Sequence, residues 1–289
     1  MTLCVISVMP SARSLILNLL LATEGRGQTA RQVIASCALF GIRENSARVA
    51  LVRLVADGLI EPTRRGAYRL GPRAAALAGD VANWRTAEER VRDWSGGWIT
   101  VHVGALGRSD RVALRARNRA LAMLGLRELD RGLYVRPDNL FGGVTEVRER
   151  LHKLGLDNSA AVFVATQFDP KREARARGLW DGNTLNQTYR KTRLELEQWL
   201  AGASWLEPDV AAREAYLLGN EAIRQLVFDP LLPEPLVDVT ERRAFTTAVL
   251  RHDAAGRAFW RRLHLAAGDG ETAPPHSFDF EPLSAPTRP

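Results

Sequence analysis

Cysteine is scarce. Cys4 and Cys37 are the whole supply among 289 residues, and neither belongs to a CxxC pair. That excludes zinc-finger and thioredoxin-like readings. The five histidines, at positions 102, 152, 252, 264 and 276, show no HExxH or comparable ligand spacing, so no metal site is expected. Lysine is scarcer still relative to its partner. Lys153, Lys171 and Lys191 are the only three, which leaves arginine to supply 37 of the 40 basic residues. Coding bias in a GC-rich genome produces such an excess as easily as function does, so it carries no weight. Long apolar runs are missing too. Leu15 to Ala22 is too short to span a bilayer. The N-terminus lacks a basic n-region, and Pro10 and Arg13 interrupt its apolar residues, which makes it a poor signal peptide. The expected location is the cytoplasm.

Catalytic signatures are absent as well. Gly104-Ala-Leu-Gly107-Arg-Ser lacks the lysine and spacing of a P-loop, and no G-x-S-x-G elbow or GxGxxG after a strand occurs. Glu88-Glu89 sits in a polar helical stretch and reads as a solvated face. The chain is expected not to be an enzyme and to need no cofactor.

What is present is ordinary globular material, 46% hydrophobic and 25% charged, with enough length for two or three domains. Its net charge of +7 is unevenly spread. Residues 1–72 carry nine arginines against Glu24, Glu44, Asp57 and Glu61, or +5, which leaves +2 for the rest. A positive domain on a near-neutral body is an electrostatic footprint for phosphate.

The stretch from Thr29 to Leu70 predicts a helix, a turn at Gly41, a second helix and a basic hairpin, which is the layout of a winged helix-turn-helix. Thr29 is the expected N-cap of the first helix of the pair. Successive side chains on a helix rotate by roughly 100°. On the second helix this puts Ala47, Leu51, Leu54, Val55 and Gly58 on one face. Asn45, Ser46, Val49 and Arg53 lie on the other, with Arg48 on the flank. The second face offers an amide, a hydroxyl and guanidinium groups for base edges and phosphates. Ile60 and Ala67 to Leu70 read as short strands, with Pro62, Arg64, Arg65 and Gly66 at the tip between them. The candidate DNA contacts are therefore Asn45, Ser46, Arg48, Val49, Arg53, Arg64 and Arg65.

Beyond this block, strands are expected at 99–103, 132–136 and 160–165. Helices are expected at 108–127, with Val112, Leu114, Leu121 and Leu124 as core contacts, and at 144–154. Strand, helix, strand, helix, strand suggests a ferredoxin-like α/β sandwich. Residues 178–265 read as mostly helical, broken by Phe228-Asp-Pro-Leu-Leu-Pro-Glu-Pro235. The expected class is α+β. The expected divisions are a winged helix at 11–72, a linker helix at 73–93, a ferredoxin-fold domain at 94–170, a helical domain at 171–265 and a disordered tail at 266–289.

Several blocks together resemble one family, the PaaX-type regulators, which are repressors of bacterial aromatic-acid catabolic operons. These blocks are SARVALVRLVADGLIE, WSGGWITVHV, LAMLGLRELDRGLYVRPDNL, GLWDGNTLNQTYRKTRLELEQWL and FDPLLPEPL, spread over residues 11–260. The resemblance implies an N-terminal winged helix, a central Cas2-like ferredoxin fold and a C-terminal helical domain. It implies a homodimer that leaves its operator when an aryl-acyl-CoA such as phenylacetyl-CoA binds. Trp180, Tyr189 and Trp199 are the candidates for an aryl pocket. Arg190, Lys191 and Arg193 are those for the CoA phosphates. The sequence departs from the family after FDPLLP. It runs LVDVTERRAFTTAVL, without the usual Leu-Pro pair and Trp-Pro-Gly-like turn.

The Cas2 likeness raises a nuclease alternative. Such metal-dependent nucleases carry an acidic residue at the end of the first strand, whereas WITVHVGAL has no carboxylate, so magnesium has no hard oxygen ligand there. Two function classes remain: a ligand-responsive transcriptional repressor, and an interaction protein whose winged helix binds a protein partner.

Overall fold

The computed structural model describes residues 9–22, 27–63, 66–74, 83–104, 106–107 and 109–266. Arg64 and Arg65 at the expected hairpin tip, residues 75–82 of the expected linker and the expected tail from 267 onward lie outside the described residues. The fold mixes helices with two small antiparallel sheets. The chain divides into two compact units, each assembled from separate stretches.

Among the described residues the first unit comprises those within 9–84, 191–225 and 245–266. Its N-terminal part holds α1 (Ala12–Leu21), β1 (Gln28–Thr29), α2 (Ala30–Ala38), α3 (Glu44–Ala56), β2 (Ile60–Pro62) and β3 (Ala67–Leu70). Ser11 caps α1, its hydroxyl accepting from the Ser14 amide at 3.1 Å. Every residue of α1 from Ser14 to Leu20 is buried, as a helix apolar on all sides must be. Thr29 caps α2 in a reciprocal arrangement with Gln32, satisfying two amides that the helix itself leaves open. Gly41 turns the chain at φ +70°, a backbone region that costs other residues more. The inner face of α3 is Ala47, Leu51 and Leu54. Val55, expected on that face, is exposed; it stands at the margin of the buried stripe. The core beneath also takes in Ala212, Tyr216 and Trp260. Tyr216 packs edge-on to Phe40 at 4.9 Å and accepts from the buried Asn18 amide at 2.8 Å.

Among the described residues the second unit comprises those within 85–190 and 226–244. It holds β4 (Trp98–His102), α4 (Arg111–Met123), β5 (Arg127–Asp130), β6 (Leu133–Pro137), α5 (Gly143–Lys153), β7 (Ala161–Ala165) and α6 (Pro170–Arg177). The sheet order is β5-β6-β4-β7, antiparallel throughout. Ile99, Val101, Leu121, Leu124, Val147 and Leu151 fill one core cluster. Val112, expected in that core, is 76% exposed. It follows the Asp110 cap, which accepts from the Val112 amide at 2.8 Å, and at that point the helix presents its outer side. A second cluster gathers Trp98, Val135, Trp180, Leu232 and Val237. Between 83 and 90, within the expected linker, the chain forms two 3-10 turns. Three long helices, α7 (Gly182–Gly202), α8 (Pro208–Val227) and α9 (Val239–Ala266), complete the chain, and each contributes residues to both units.

Candidate nucleic-acid interface

The outward face of α3 is built by the same periodicity that buries the inward one. With Ala47, Leu51 and Leu54 fixed in the core, Asn45, Ser46, Arg48, Val49 and Arg53 are all exposed. Asn45, Ser46, Val49 and Arg53 line an open cleft of about 410 Å³ together with Ala12, Arg13 and Ala50. The first turns of α1 and the outer face of α3 thus meet in one concave surface.

Charge on that surface is not uniform. Arg48 pairs with Glu44 one turn earlier at 2.7 Å, both side chains well exposed. Such a pair is worth little in water and exchanges readily for a phosphate. Arg13 is tied to Asp57, beyond the other end of α3, at 2.6 Å. Arg53 and Arg43 make no ion pair among the described residues. Arg43 is the N-cap of α3 and provides no side-chain cap bond. The first amides of α3 therefore lack a side-chain acceptor from the cap, and the positive end of the helix dipole suits an anion.

Valine is the apolar component of this surface. Val49 and Val55 are partly open, and Val52 is 69% exposed. Val52 lies seven residues from Asn45, nearly two full turns, so the wheel places it on the same face. Arg13 could not have been found from sequence, since 44 positions separate it from its partner Asp57.

The hairpin after α3 pairs Ile60 with Leu70, Glu61 with Arg69 and Pro62 with Tyr68. The Arg69 guanidinium meets Glu61 across the strands at 2.6 Å. The Thr63 amide donates to the Ala67 carbonyl at 2.7 Å, and Gly66 sits at φ +69°, so the ends of the turn are closed. A third strand, Gln28–Thr29, adds to β3; two residues are too short for any sequence pattern to show.

The six residues considered for an effector are placed differently. Trp180 is buried, stacked on Trp98 at 6.1 Å, with its indole N–H donating to the Gly125 carbonyl at 3.3 Å. Tyr189 is buried near Asp229, and burial pushes its hydroxyl pKa far up. Arg190 faces Glu241 at 3.5 Å. These three belong to the second unit. Lys191, Arg193 and Trp199 belong to the first. Lys191 is exposed, Arg193 pairs with Glu197 at 3.1 Å, and Trp199 is buried against His252 and Phe259. The three aromatic rings thus pack in cores. Among the described residues no group of three or more His, Cys, Asp or Glu is placed to hold a metal ion, and no helix is long and apolar enough to cross a membrane. Cys37 is fully buried, and desolvation pushes its thiol up to about 12, which leaves it inert as a nucleophile.

Two family models match the sequence. That of the PaaX-like proteins covers residues 11–74, and that of the PaaX-like protein C-terminal domain covers residues 180–262. The first match contains the cleft, α3 and the hairpin. Among solved structures, an uncharacterized protein from Mycobacterium tuberculosis is similar at a TM-score of 0.54 and 25% identity. The match covers 85% of this chain and 98% of that one. No curated protein matches the sequence.

Proposed function

This chain belongs to the PaaX-like family of transcriptional regulators, and from that premise we propose that it is a DNA-binding repressor of an aromatic-acid catabolic operon. The N-terminal α2–turn–α3–hairpin serves as a winged helix-turn-helix, with α3 in the major groove and the Arg64-Arg65 tip on phosphate or in the minor groove. The β5-β6-β4-β7 order, with two helices joining the strands, supports reading the sheet as ferredoxin-like and Cas2-like. The protein works in the cytoplasm as a homodimer, because one such motif makes few base contacts and a palindromic site doubles them.

The observation that carries this reading is the outer face of α3. An amide, a hydroxyl, an unpaired guanidinium and an uncapped helix start share one open surface. These are the groups that read base edges and hold phosphates. The exposed valines fit the same reading, since the thymine methyl is the apolar mark in the major groove. They also favour one other reading, a hydrophobic face that binds a protein partner. Salt separates the two. Neutralising phosphates releases counterions, so DNA affinity falls steeply with ionic strength, whereas docking on valines is far less sensitive.

The effector is an aryl-acyl-CoA. Trp180, Tyr189 and Trp199 are the candidates for its ring and Arg190, Lys191 and Arg193 for its phosphates. The buried rings must become accessible for the ligand to enter. A ligand shifts a two-state regulator only by its difference in affinity for the two states. Fluorescence anisotropy of a labelled promoter duplex, titrated with the protein and then with aryl- and alkyl-acyl-CoAs, tests both halves. Binding followed by release with an aryl-acyl-CoA supports them. Binding with no release by any acyl-CoA removes the effector and leaves the DNA reading.

A further inference from the structure

The four-stranded sheet ends in two outer strands that differ in kind. The β5 edge is defended. Its sequence, Arg127-Glu128-Leu129-Asp130, is charged and carries a register shift between Glu128 and Asp130. Arg175 from α6 donates to the Leu129 carbonyl at 2.5 Å and meets Asp130 at 2.9 Å, and Arg172 reaches Asp130 as well. Charge, irregularity and occupied carbonyls are the devices by which proteins keep a sheet edge from pairing with another chain.

The β7 edge has neither the charge nor the irregularity. It reads Ala161-Val162-Phe163-Val164-Ala165, with no charge, no proline and an unbroken register to β4. Among the described residues no strand pairs with its outer side. Phe163 is 44% exposed and Val164 is 41% exposed. They lie on opposite faces of the sheet, so the edge is apolar above and below. Among the described residues one side-chain contact touches it, Arg148 donating to the Val162 carbonyl at 2.7 Å. A carbonyl oxygen accepts twice, so that bond leaves the edge available.

We propose that β7 is the edge at which a second copy of this chain adds, antiparallel across a two-fold axis at Phe163. The strand reads the same in both directions. Centred on Phe163, the pairing overlaps all five residues and sets Phe163 on Phe163, Val162 on Val164 and Ala161 on Ala165. Aromatic pairs and β-branched pairs across strands stabilise a sheet, and no like charges are brought together. Two four-stranded sheets become one of eight, and the same patch serves both subunits, as a two-fold interface requires. The inference rests on the homodimer reading above and names its surface.

Light scattering and sedimentation of the full chain at micromolar concentration test it, with and without promoter DNA. The unaltered protein is expected to be dimeric. Phe163→Lys sets lysine against lysine and is expected to weaken self-association by about tenfold or more. Phe163→Glu is expected to do the same. An equimolar mixture of the two variants is expected to restore dimers, a result that misfolding cannot mimic. Phe163→Cys is expected to form an intersubunit disulfide on mild oxidation. Variants that dimerise like the unaltered protein overturn this surface and leave the homodimer reading standing. So does weakening without rescue in the mixture. A full chain that stays monomeric with DNA overturns both.

Discussion

The side-chain amide of Asn139 donates to the main-chain carbonyl of Leu231 at 2.6 Å, with both residues buried. Arg136, three residues earlier, donates to the Leu124 carbonyl at 2.5 Å, to the Pro230 carbonyl at 3.3 Å and to the Asn139 side chain at 3.1 Å. The Arg-Pro-Asp-Asn run at the end of β6 therefore holds the Asp-Pro-Leu-Leu-Pro loop 92 residues away. A buried arginine among carbonyls is tolerable because each hydrogen bond offsets part of its lost hydration. Close approach completes the joint. A Cβ at Gly125 would come within 2.8 Å of Pro230.

Asn139→Ala is expected to leave the Leu231 carbonyl buried without this donor and to cost about 1–3 kcal/mol of stability. Arg136→Met breaks several such bonds and is expected to cost more. Urea unfolding followed by circular dichroism reads both. Midpoints unchanged from the parent protein would show that water replaces the clamp.

The two motifs of that clamp are plain in the sequence, but their contact is not, because nothing local ties residue 139 to residue 231. The strands at β4, β6 and β7 were legible from apolar runs with closing turns. The charged Arg127–Asp130 strand was not, since an outer strand held by Arg175 needs no apolar alternation. The inner face of α3 followed from helical spacing. Val52 drew no reading from the sequence, because an exposed valine has a reason only once a partner for it is considered. Trp180, Tyr189 and Trp199 read more readily as core than as ligand groups from the sequence, and all three are buried.

Val49 and Val52 are expected to meet thymine methyls. Replacing thymine by deoxyuridine within the bound half-site should then weaken binding at one or two positions and leave the others unaffected. Val52→Ala should weaken binding to the thymine site and erase the difference between the two duplexes. Equal affinity for the thymine and deoxyuridine duplexes would remove the valines from base reading while leaving α3 in the groove.

Arg53→Ala or Asn45→Ala is expected to cost about 1–3 kcal/mol and to relax preference at a single base position. The double change Arg64→Ala and Arg65→Ala is expected to weaken all duplexes alike and to flatten the dependence on salt. Quantitative binding to a set of single-base operator variants separates the patterns. A uniform loss from Asn45→Ala would assign that residue to backbone, and an unchanged salt slope would take the hairpin tip out of the interface.

Asp229 is buried, and desolvation raises its pKa above the usual 3.8, opposed by Tyr189 and Arg242 beside it. The folded protein therefore keeps a proton there that the unfolded chain has released. Stability from this group is greatest below about 3.8 and declines as pH rises through the higher folded value. Asp229→Asn keeps an oxygen for the Leu231 amide, now bound at 2.7 Å, and removes the ionisation. Its unfolding midpoint is expected to fall less than the parent's as pH rises through that window. Parallel pH profiles would show that folding does not raise the Asp229 pKa.

The central claim is sequence-specific binding of duplex DNA by the α3 surface. Its most direct test is selection of bound duplexes from a random library with the full chain, followed by affinity measurement on the selected sequence over a range of salt. Enrichment of one sequence with two-fold symmetry is expected, with a logarithm of affinity that falls linearly with the logarithm of salt concentration. A library that emerges unenriched, or binding that ignores salt, would contradict it.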